Sequence, residues 1–300
     1  MSEQRTVSPE PIEDWCEEWH VGDVRIIRVV ENEVAVPATL FFGDAVLPST
    51  DAHPWLVPGY CTSDGRLRFS IHSFIIDDGQ QRVVVDTCVG NDKIRGNPFF
   101  SGLSGPYLER LGSIGYPAET IDRVMCTHLH LDHVGWNTRR ENGEWIPTFP
   151  NARYIIAKSE WDHASAEADA ADAAGDSVIA DSIAPVFAAG LVDLVATDHR
   201  VSDSIVLVPT IGHTPGHVAV HIESRGEHAI ITGDLIHHPV QAISPDLATV
   251  LDWDADMATA TRRRFVDAHL DQPILVLGTH FATPSAGHLV STPTGTAFLP

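Results

Sequence analysis

The chain lacks the features that would place it in several common protein classes. Its four cysteines, Cys16, Cys61, Cys88 and Cys126, form no C-x-x-C pair, so neither a disulfide framework nor a sulfur-rich metal site is expected. No stretch approaches the ~20 consecutive apolar residues that a membrane span requires. Residues 1–20 lack the basic start and apolar run of a secretory signal, and we therefore expect a cytoplasmic protein.

Basic residues are also scarce. Lys and Arg number 19 against 41 Asp and Glu, which gives a formal net charge of −22. Such a charge repels phosphate backbones and anionic lipid surfaces, so we expect a small-molecule substrate and neither a nucleic-acid nor a membrane partner. The 17 histidines raise the expectation of a metal site, because imidazole is the commonest metal ligand, but their number does not locate it.

The arrangement of residue patterns indicates one domain over residues 21–300, preceded by a loose N-terminal arm over residues 1–20. Predicted strands cover residues 24–30, 67–77, 82–86, 123–127, 152–157, 205–210, 218–222, 228–232 and 273–278. Predicted helices cover residues 107–114, residues 159–189 in two pieces around Gly175, and a segment capped by Asp254. This order suits an α/β fold with two packed sheets and helices outside.

The central motif is T-H-L-H-L-D-H-V-G over residues 127–135. At the end of a strand, residues two apart face the same way, so His128 and His130 can bind one ion together. Asp132 and His133 are neighbours whose side chains diverge, which suits a second ion. A histidine-rich surface loop is the alternative interpretation, but three histidines and an aspartate in six residues after an apolar strand favour a metal site.

This motif resembles that of the metallo-β-lactamase superfamily, and three further segments match in the superfamily's order. They are G-H-T-P-G-H over residues 212–217, T-G-D over residues 232–234 and G-T-H over residues 278–280. The resemblance covers residues 82–287 and implies a four-layer αββα sandwich, in which two mixed β-sheets pack together with helices outside. Segments after residue 233 are similar to the branch that contains methyl parathion hydrolase, and acyl-homoserine lactonases share the metal motifs.

The resemblance implies a complete set of ligands for two divalent ions. It assigns His128, His130 and His213 to one ion, Asp132, His133 and His280 to the other, and Asp234 to a bridge between them. Nitrogen and oxygen donors without thiolate suit Zn²⁺ first and are also compatible with Mn²⁺, Fe²⁺ or Co²⁺. A pair of ions ~3.5–4 Å apart can share a water and lower its pKa toward ~7. Asp132 and Asp234 are accordingly the predicted catalytic carboxylates.

Five further residues are candidates for the surroundings of the metals. Asp86 matches an aspartate that hydrogen-bonds a ligand histidine, and its alternative is a turn residue before Gly90. His217 is expected to support the site or to pack. His237 and His238 either line the pocket, with a hydrogen bond to substrate, or cap a strand end. Phe281 and the apolar residues of 41–60 form either a pocket wall or core.

Together these features predict a dinuclear metal-dependent hydrolase in which a metal-bridging hydroxide cleaves a hydrophobic ester or lactone, with phosphotriesters as a further substrate class. The alternatives are a β-lactamase-like hydrolase and a non-hydrolytic iron redox or metal-binding protein on the same scaffold. Relatives of this kind are often dimers, so the resemblance also implies a homodimer.

Overall fold

Two β-sheets form the centre of the protein in the computed structural model, which describes residues 15–174 and 178–300. The strands are β1 (Cys16–Val21), β2 (Val24–Val36), β3 (Leu67–Asp77), β4 (Arg82–Val85), β5 (Arg123–Met125), β6 (Thr138–Glu141), β7 (Glu144–Pro147), β8 (Arg153–Ala157), β9 (Val192–Val195), β10 (Ile205–Pro209), β11 (Val218–Ser224), β12 (Glu227–Ile231), β13 (Ile274–Leu277), β14 (Ala286–Thr292) and β15 (Gly295–Leu299). The α-helices are α1 (Thr39–Phe42), α2 (Tyr107–Ser113), α3 (Lys158–Ala174), α4 (Ala184–Ala188), α5 (Val240–Ile243) and α6 (Ala255–His269).

Both large sheets are mixed. The first has the order β1-β2-β3-β4-β5-β8-β9, with antiparallel pairs from β1 to β4 and parallel pairs from β4 to β9. The second has the order β10-β11-β12-β13-β14-β15, in which only β12 and β13 run parallel. Strands β6 and β7 form a separate hairpin.

Apolar side chains on alternate strand positions create the four layers. Ile76 and Val85 of the first sheet pack with Val220 and Ile231 of the second in one buried cluster between the sheets. A second cluster joins the outer face of the first sheet to α2 and α4, and a third joins the outer face of the second sheet to α6. The predicted αββα sandwich is therefore confirmed.

Local signals explain where several elements begin. The two predicted strands β3 and β4 form a hairpin, in which Oδ1 of Asp78 accepts the backbone N–H of Gln80 at 3.0 Å and that of Gln81 at 2.9 Å. Helix α6 starts after Asp254, whose Oδ1 accepts the N–H of Met257 at 2.9 Å as an N-cap. The predicted helix over residues 159–189 is divided into α3 and α4.

Some predictions were wrong in detail. Residues 16–20 of the predicted arm belong to β1, which pairs with β2 from Cys16 opposite Val29 to Val21 opposite Val24. Residues 1–14 of that arm lie outside the described residues. Strands β6, β7, β9, β14 and β15 were not predicted. No helix in the described part of the chain has both the length and the apolar character needed to cross a membrane.

The topology gathers the predicted ligands at one edge of the sandwich. The 128–133 motif follows β5, Asp234 follows β12 and His280 follows β13. Because β12 and β13 are parallel neighbours, the segments that leave their carboxyl ends start side by side. His213 lies in the connection between β10 and β11, which closes the site from the second sheet.

Candidate metal centre

The site begins where β5 ends at Met125. The backbone N–H of Thr127 donates to Oδ1 of Asp86 at 2.7 Å, and the Thr127 hydroxyl donates to Oδ2 at 2.8 Å. Asp86 has φ 55°, a left-handed conformation that aspartate tolerates better than most residues. One carboxylate after the adjacent strand β4 therefore fixes the backbone immediately before His128.

Seven side chains from four chain segments meet at this edge. We call His128, His130 and His213 the first ligand group, and Asp132, His133 and His280 the second ligand group. With Asp234 counted in the first, the ligand atoms within each group lie within 4.8 Å of one another. Nε2 of His213 is 2.9 Å from Nδ1 of His130, and Nε2 of His280 is 3.2 Å from Nε2 of His133. The structure thus brings together every side chain that the resemblance assigned to metal.

Asp234 lies between the two groups. Its Oδ2 is 3.6 Å from Nε2 of His128 and 3.4 Å from Nε2 of His213. Its Oδ1 is 3.4 Å from Nε2 of His133 and 3.2 Å from Nε2 of His280. Each carboxylate oxygen therefore faces the nitrogens of a different group, an arrangement suited to a ligand shared by two ions.

The histidines of the second ligand group are oriented from the first sheet. Nδ1 of His133 donates to Oδ2 of Asp86 at 2.9 Å, so Asp86 contacts a ligand histidine as well as Thr127. Nδ1 of His280 donates to the carbonyl oxygen of Ser70 on β3 at 3.0 Å. Both bonds use Nδ1 as the donor and direct Nε2 at the site, so Nε2 is the nitrogen that a metal would bind in place of a proton.

Asp252 performs the same task for the first ligand group, and the sequence analysis gave it no role. Its Oδ1 accepts a hydrogen bond from Nδ1 of His213 at 3.0 Å, and its Oδ2 accepts the N–H of Thr249 at 2.8 Å. Burial favours the neutral acid, but the bond from His213 and the charge of Arg262 outweigh it and lower the pKa of Asp252 to about 2. Since 39 residues separate Asp252 from His213, no local motif marks the pair.

The two ligand groups differ in charge when no metal is bound. Burial lowers the pKa of His128 well below its usual range and that of His130 to about 3. Burial opposes protonation of His133 as well, but the nearby carboxylates, Asp234 first, outweigh it and raise the pKa of His133 well above its usual range. The pKa of His280 is raised for the same reason. His128 and His130 of the first ligand group are therefore neutral imidazoles, whereas the two histidines of the second ligand group attract protons.

The residues present fit divalent cations. Nε2 of His128 and Oδ1 of Asp234 are buried and have no hydrogen-bond partner among the described residues, and a coordinated cation would satisfy both atoms. The donors are imidazole nitrogens and carboxylate oxygens, which suit zinc and other first-row divalent metals. The side chain of Asp132 is 18% exposed and that of Asp234 only 4%, so the site opens to solvent on the Asp132 side.

His217 holds the backbone of Asp234 in place through a hydrogen bond. Its Nδ1 donates to the hydroxyl of Thr210 at 2.7 Å, and its Nε2 accepts the backbone N–H of Asp234 at 2.8 Å. A Cβ on Gly233 would lie 2.6 Å from that Nε2, and Gly233 has φ 54°, so only glycine fits before Asp234. The imidazole of His217 points at the backbone and lies outside both ligand groups.

The neighbouring histidines 237 and 238 have different surroundings. Nε2 of His238 donates to the carbonyl oxygen of Tyr60 at 2.9 Å and its Nδ1 accepts the N–H of Val240, which agrees with the capping alternative. His237 points toward the ligand groups, with Nε2 3.2 Å from Oδ2 of Asp234. That contact is not aligned as a hydrogen bond, and neither ring nitrogen of His237 has another partner among the described residues.

The expected aromatic wall is mostly core. Phe281 is 1% exposed and packs its ring 5.0 Å from Phe298, so it does not line an open pocket. Phe42 and Tyr60 are also buried in this cluster. Of these aromatic side chains, Phe41 lies nearest the ligand groups. Its ring centroid is 6.0 Å from that of His237, and its ring stacks on Phe69. The buried rings pack in one cluster with Phe69 of β3, and this packing removes them from the surface.

Comparison with known proteins agrees with this geometry. The sequence profile of the Metallo-beta-lactamase superfamily matches residues 66–280. An N-acyl homoserine lactonase from Bacillus cereus is 21% identical over 250 residues, which cover 79% of this chain and 89% of the relative.

Two solved structures share the fold. The hydrolase AbOPH of the beta lactamase superfamily superposes with a TM-score of 0.77 at 23% identity, covering 95% of this chain and 97% of its own. AidC, a dizinc quorum-quenching lactonase, gives a TM-score of 0.76 at 21% identity, covering 96% and 98%. The family and these relatives make the chain a metal-dependent hydrolase. Its profile match, its αββα layers and its ordered ligand segments show that the chain belongs to the metallo-β-lactamase superfamily.

Proposed function

We propose that the protein binds two divalent ions, zinc first, and hydrolyses a hydrophobic small-molecule lactone or ester, with phosphotriesters as a further substrate class. The observation that carries this proposal is the position of Asp234, whose two oxygens face two separate histidine groups at 3.2 to 3.6 Å. A carboxylate in this position serves two ions, whereas a single ion would need only one of the groups.

The chain's own residues have distinct tasks in this reaction. The first ligand group and the second ligand group would hold one ion each, with Asp234 between the two groups. When bound, the ions supply a water of lowered pKa at neutral pH and polarise the substrate carbonyl. Asp132, the more exposed carboxylate, faces the solvent side by which water and substrate arrive.

His237 is the side chain best placed to contact the substrate oxygen. Burial lowers its pKa, so at neutral pH its imidazole carries one N–H, and no described residue accepts that proton in a well-formed hydrogen bond. A donor aimed at developing negative charge in a site shielded from water contributes substantially to acyl transfer. We assign His237 this role, which is the pocket alternative of the sequence analysis.

The surroundings favour an apolar substrate. Leu40, Phe41, Val250 and Trp253 form what we call the apolar rim. The N–H of Val250 donates to the carbonyl oxygen of Phe41, and that of Trp253 donates to the carbonyl oxygen of the ligand His213. Leu40, Val250 and Trp253 are 55%, 62% and 52% exposed, which leaves an apolar surface beside the metals for a substrate to cover.

The relatives direct the choice of substrate within this class. The Bacillus cereus relative is an N-acyl homoserine lactonase, and AidC was solved with the product N-hexanoyl-L-homoserine. An acyl-homoserine lactone combines a ring ester with an alkyl chain, and so suits both a hydrolytic metal pair and the apolar rim. The strong negative charge of the chain is consistent with an uncharged substrate.

The test is a substrate panel with metal-depleted protein reloaded with zinc, manganese or iron. We expect about two equivalents of metal and turnover of acyl-homoserine lactones, with a lower KM for longer acyl chains because the apolar rim covers them. Aryl esters, a phosphotriester and a β-lactam complete the panel. Binding of a single equivalent, turnover of the β-lactam alone, or oxygen consumption with iron and no hydrolysis would overturn the proposal.

A further inference from the structure

A buried glutamate outside both ligand groups joins the two loops that carry the first ligand group. Oε1 of Glu160, in the first turn of α3, accepts the backbone N–H of Leu129 at 3.0 Å. Its Oε2 accepts the backbone N–H of Gly216 at 3.0 Å. Leu129 stands between His128 and His130, and Gly216 stands three residues after His213. One carboxylate therefore bridges two segments that approach the metals from different sheets.

This bridge is rigid because α3 lies directly against the second loop. A Cβ on Gly216 would lie 2.2 Å from the backbone nitrogen of Glu160, so only glycine allows the helix to approach this closely. Glu160 is 2% exposed, and water cannot replace either hydrogen bond. A buried carboxylate that accepts two backbone N–H groups holds both of them strongly.

The two hydrogen bonds of Glu160 go to the loops that carry the first ligand group. His133 is anchored separately, through Asp86 at Nδ1 and through its carbonyl oxygen, which accepts the N–H of Thr87 at 2.7 Å. His280 depends on the carbonyl oxygen of Ser70. Within the described part of the chain, the hydrogen bonds of Glu160 go to Leu129 and Gly216 and to none of these second-group anchors, so loss of Glu160 should weaken one ion only.

We propose that Glu160 is a positioning residue for one of the two ions, and that it acts by fixing the separation between the 128–130 loop and the 213–216 loop. The inference rests on the proposed dinuclear function. Groups that orient metal ligands typically contribute 10- to 100-fold to metal affinity. Removal of one of the two acceptors should therefore weaken the first ion by about 10-fold or more and leave the second unchanged.

The variant Glu160→Gln tests this most directly, because the amide keeps the shape but presents N–H to one of the two backbone donors. Calorimetric titration with Zn²⁺ would be done in a His280→Ala background, which isolates the first ion, and in a His213→Ala background, which isolates the second. Glu167→Gln is the matched control, since Glu167 lies exposed on the same helix and its ion pair is with His163. We expect weaker binding in the first background alone.

The outcomes separate this inference from the proposed function. If the parent protein binds fewer than two ions, the dinuclear proposal fails whatever Glu160 does. Suppose instead that the parent protein binds two ions. The positioning role is then wrong if Glu160→Gln has the same zinc affinities as Glu167→Gln, or if it weakens the binding of both ions equally. Should Glu160→Gln not fold, Glu160→Asp keeps the charge but is too short to reach both N–H groups. That variant must show the same selective loss of zinc affinity, measured on protein whose metal-free form is folded.

Discussion

The two ligand groups contain similar side chains but are built on different physical principles. The first consists of His128, His130 and His213, and burial keeps the pKa of the first two low, so they are neutral. The second combines two histidines with Asp132, and nearby carboxylates raise the pKa of both histidines. His128 and His130 are therefore neutral donors whose placement depends on surrounding residues, whereas the second ligand group contains the carboxylate of Asp132, which attracts a cation.

Their supports differ in the same way. Nδ1 of His213 donates to Asp252 on the connection between α5 and α6, and Glu160 accepts the backbone N–H of Gly216 in the loop that carries His213. The second ligand group is tied to the first sheet through Asp86 and the carbonyl oxygen of Ser70. The difference teaches that a ligand group without a carboxylate of its own is oriented by distant residues, and that Asp234 is the side chain that faces both groups.

Replacement of that shared ligand is expected to have the largest effect. Asp234→Ala removes the oxygen that each group faces, so both ions should be lost or weakened and activity should fall by about a thousandfold or more, since several kcal/mol of charge stabilisation disappear. Metal analysis and lactone hydrolysis measure both effects. Asp132→Ala is the control and should release only one equivalent. Retention of two equivalents by Asp234→Ala would contradict a bridging role.

The matched pair Asp252→Asn and Asp86→Asn tests the separate supports. Each substitution removes the charge behind one ligand histidine, and each should weaken one ion by about 10- to 100-fold. Asp252→Asn should affect the ion of His213. Asp86→Asn should affect chiefly the ion of His133, because the remaining amide oxygen can still accept the N–H of Thr127 before His128. Asparagine also tolerates the positive φ at residue 86, so the backbone there is preserved. Stepwise zinc titration distinguishes the two ions, and a loss shared equally would remove the distinction between the groups.

The ligands that lie close together in the sequence were predicted better than the residues that orient them. The 128–133 motif is local, so strand geometry alone indicated two sets of ligands within six residues. His213, Asp234 and His280 are scattered along the chain, and only the order of motifs in a known superfamily brought them into one site. Asp252 and Glu160 were not predicted, because their partners lie 39 and 31 residues away and a lone acidic residue has no pattern.

The secondary structure shows the same difference: strands marked by a local sequence pattern were predicted, whereas a strand defined by its pairing with a neighbour was not. Strands with a strong apolar alternation, such as β3 and β10, were predicted within a residue or two of their observed ends. Strand β1 was assigned to an arm because it lies at a sheet edge, where Glu18 and His20 remain exposed and the sequence reads as polar. Its partner β2 supplies the pairing that makes it a strand.

The smallest predicted effect concerns protons and sharpens the charge difference between the groups. In the metal-free protein the raised pKa values of His133 and His280 mean that these histidines bind protons near neutral pH, while the low pKa values of His128 and His130 leave them unprotonated. An ion entering the second ligand group must displace protons, so its affinity should rise with pH by about tenfold per unit for each proton released. Because His128 and His130 are already unprotonated, the ion of the first group should release fewer protons over the same range. Calorimetric titration in buffers of different ionisation enthalpy, with the His213→Ala and His280→Ala variants, counts the protons for each ion. Equal proton release from both variants would mean that the two groups have the same charge, and that the supports around His213 have another purpose.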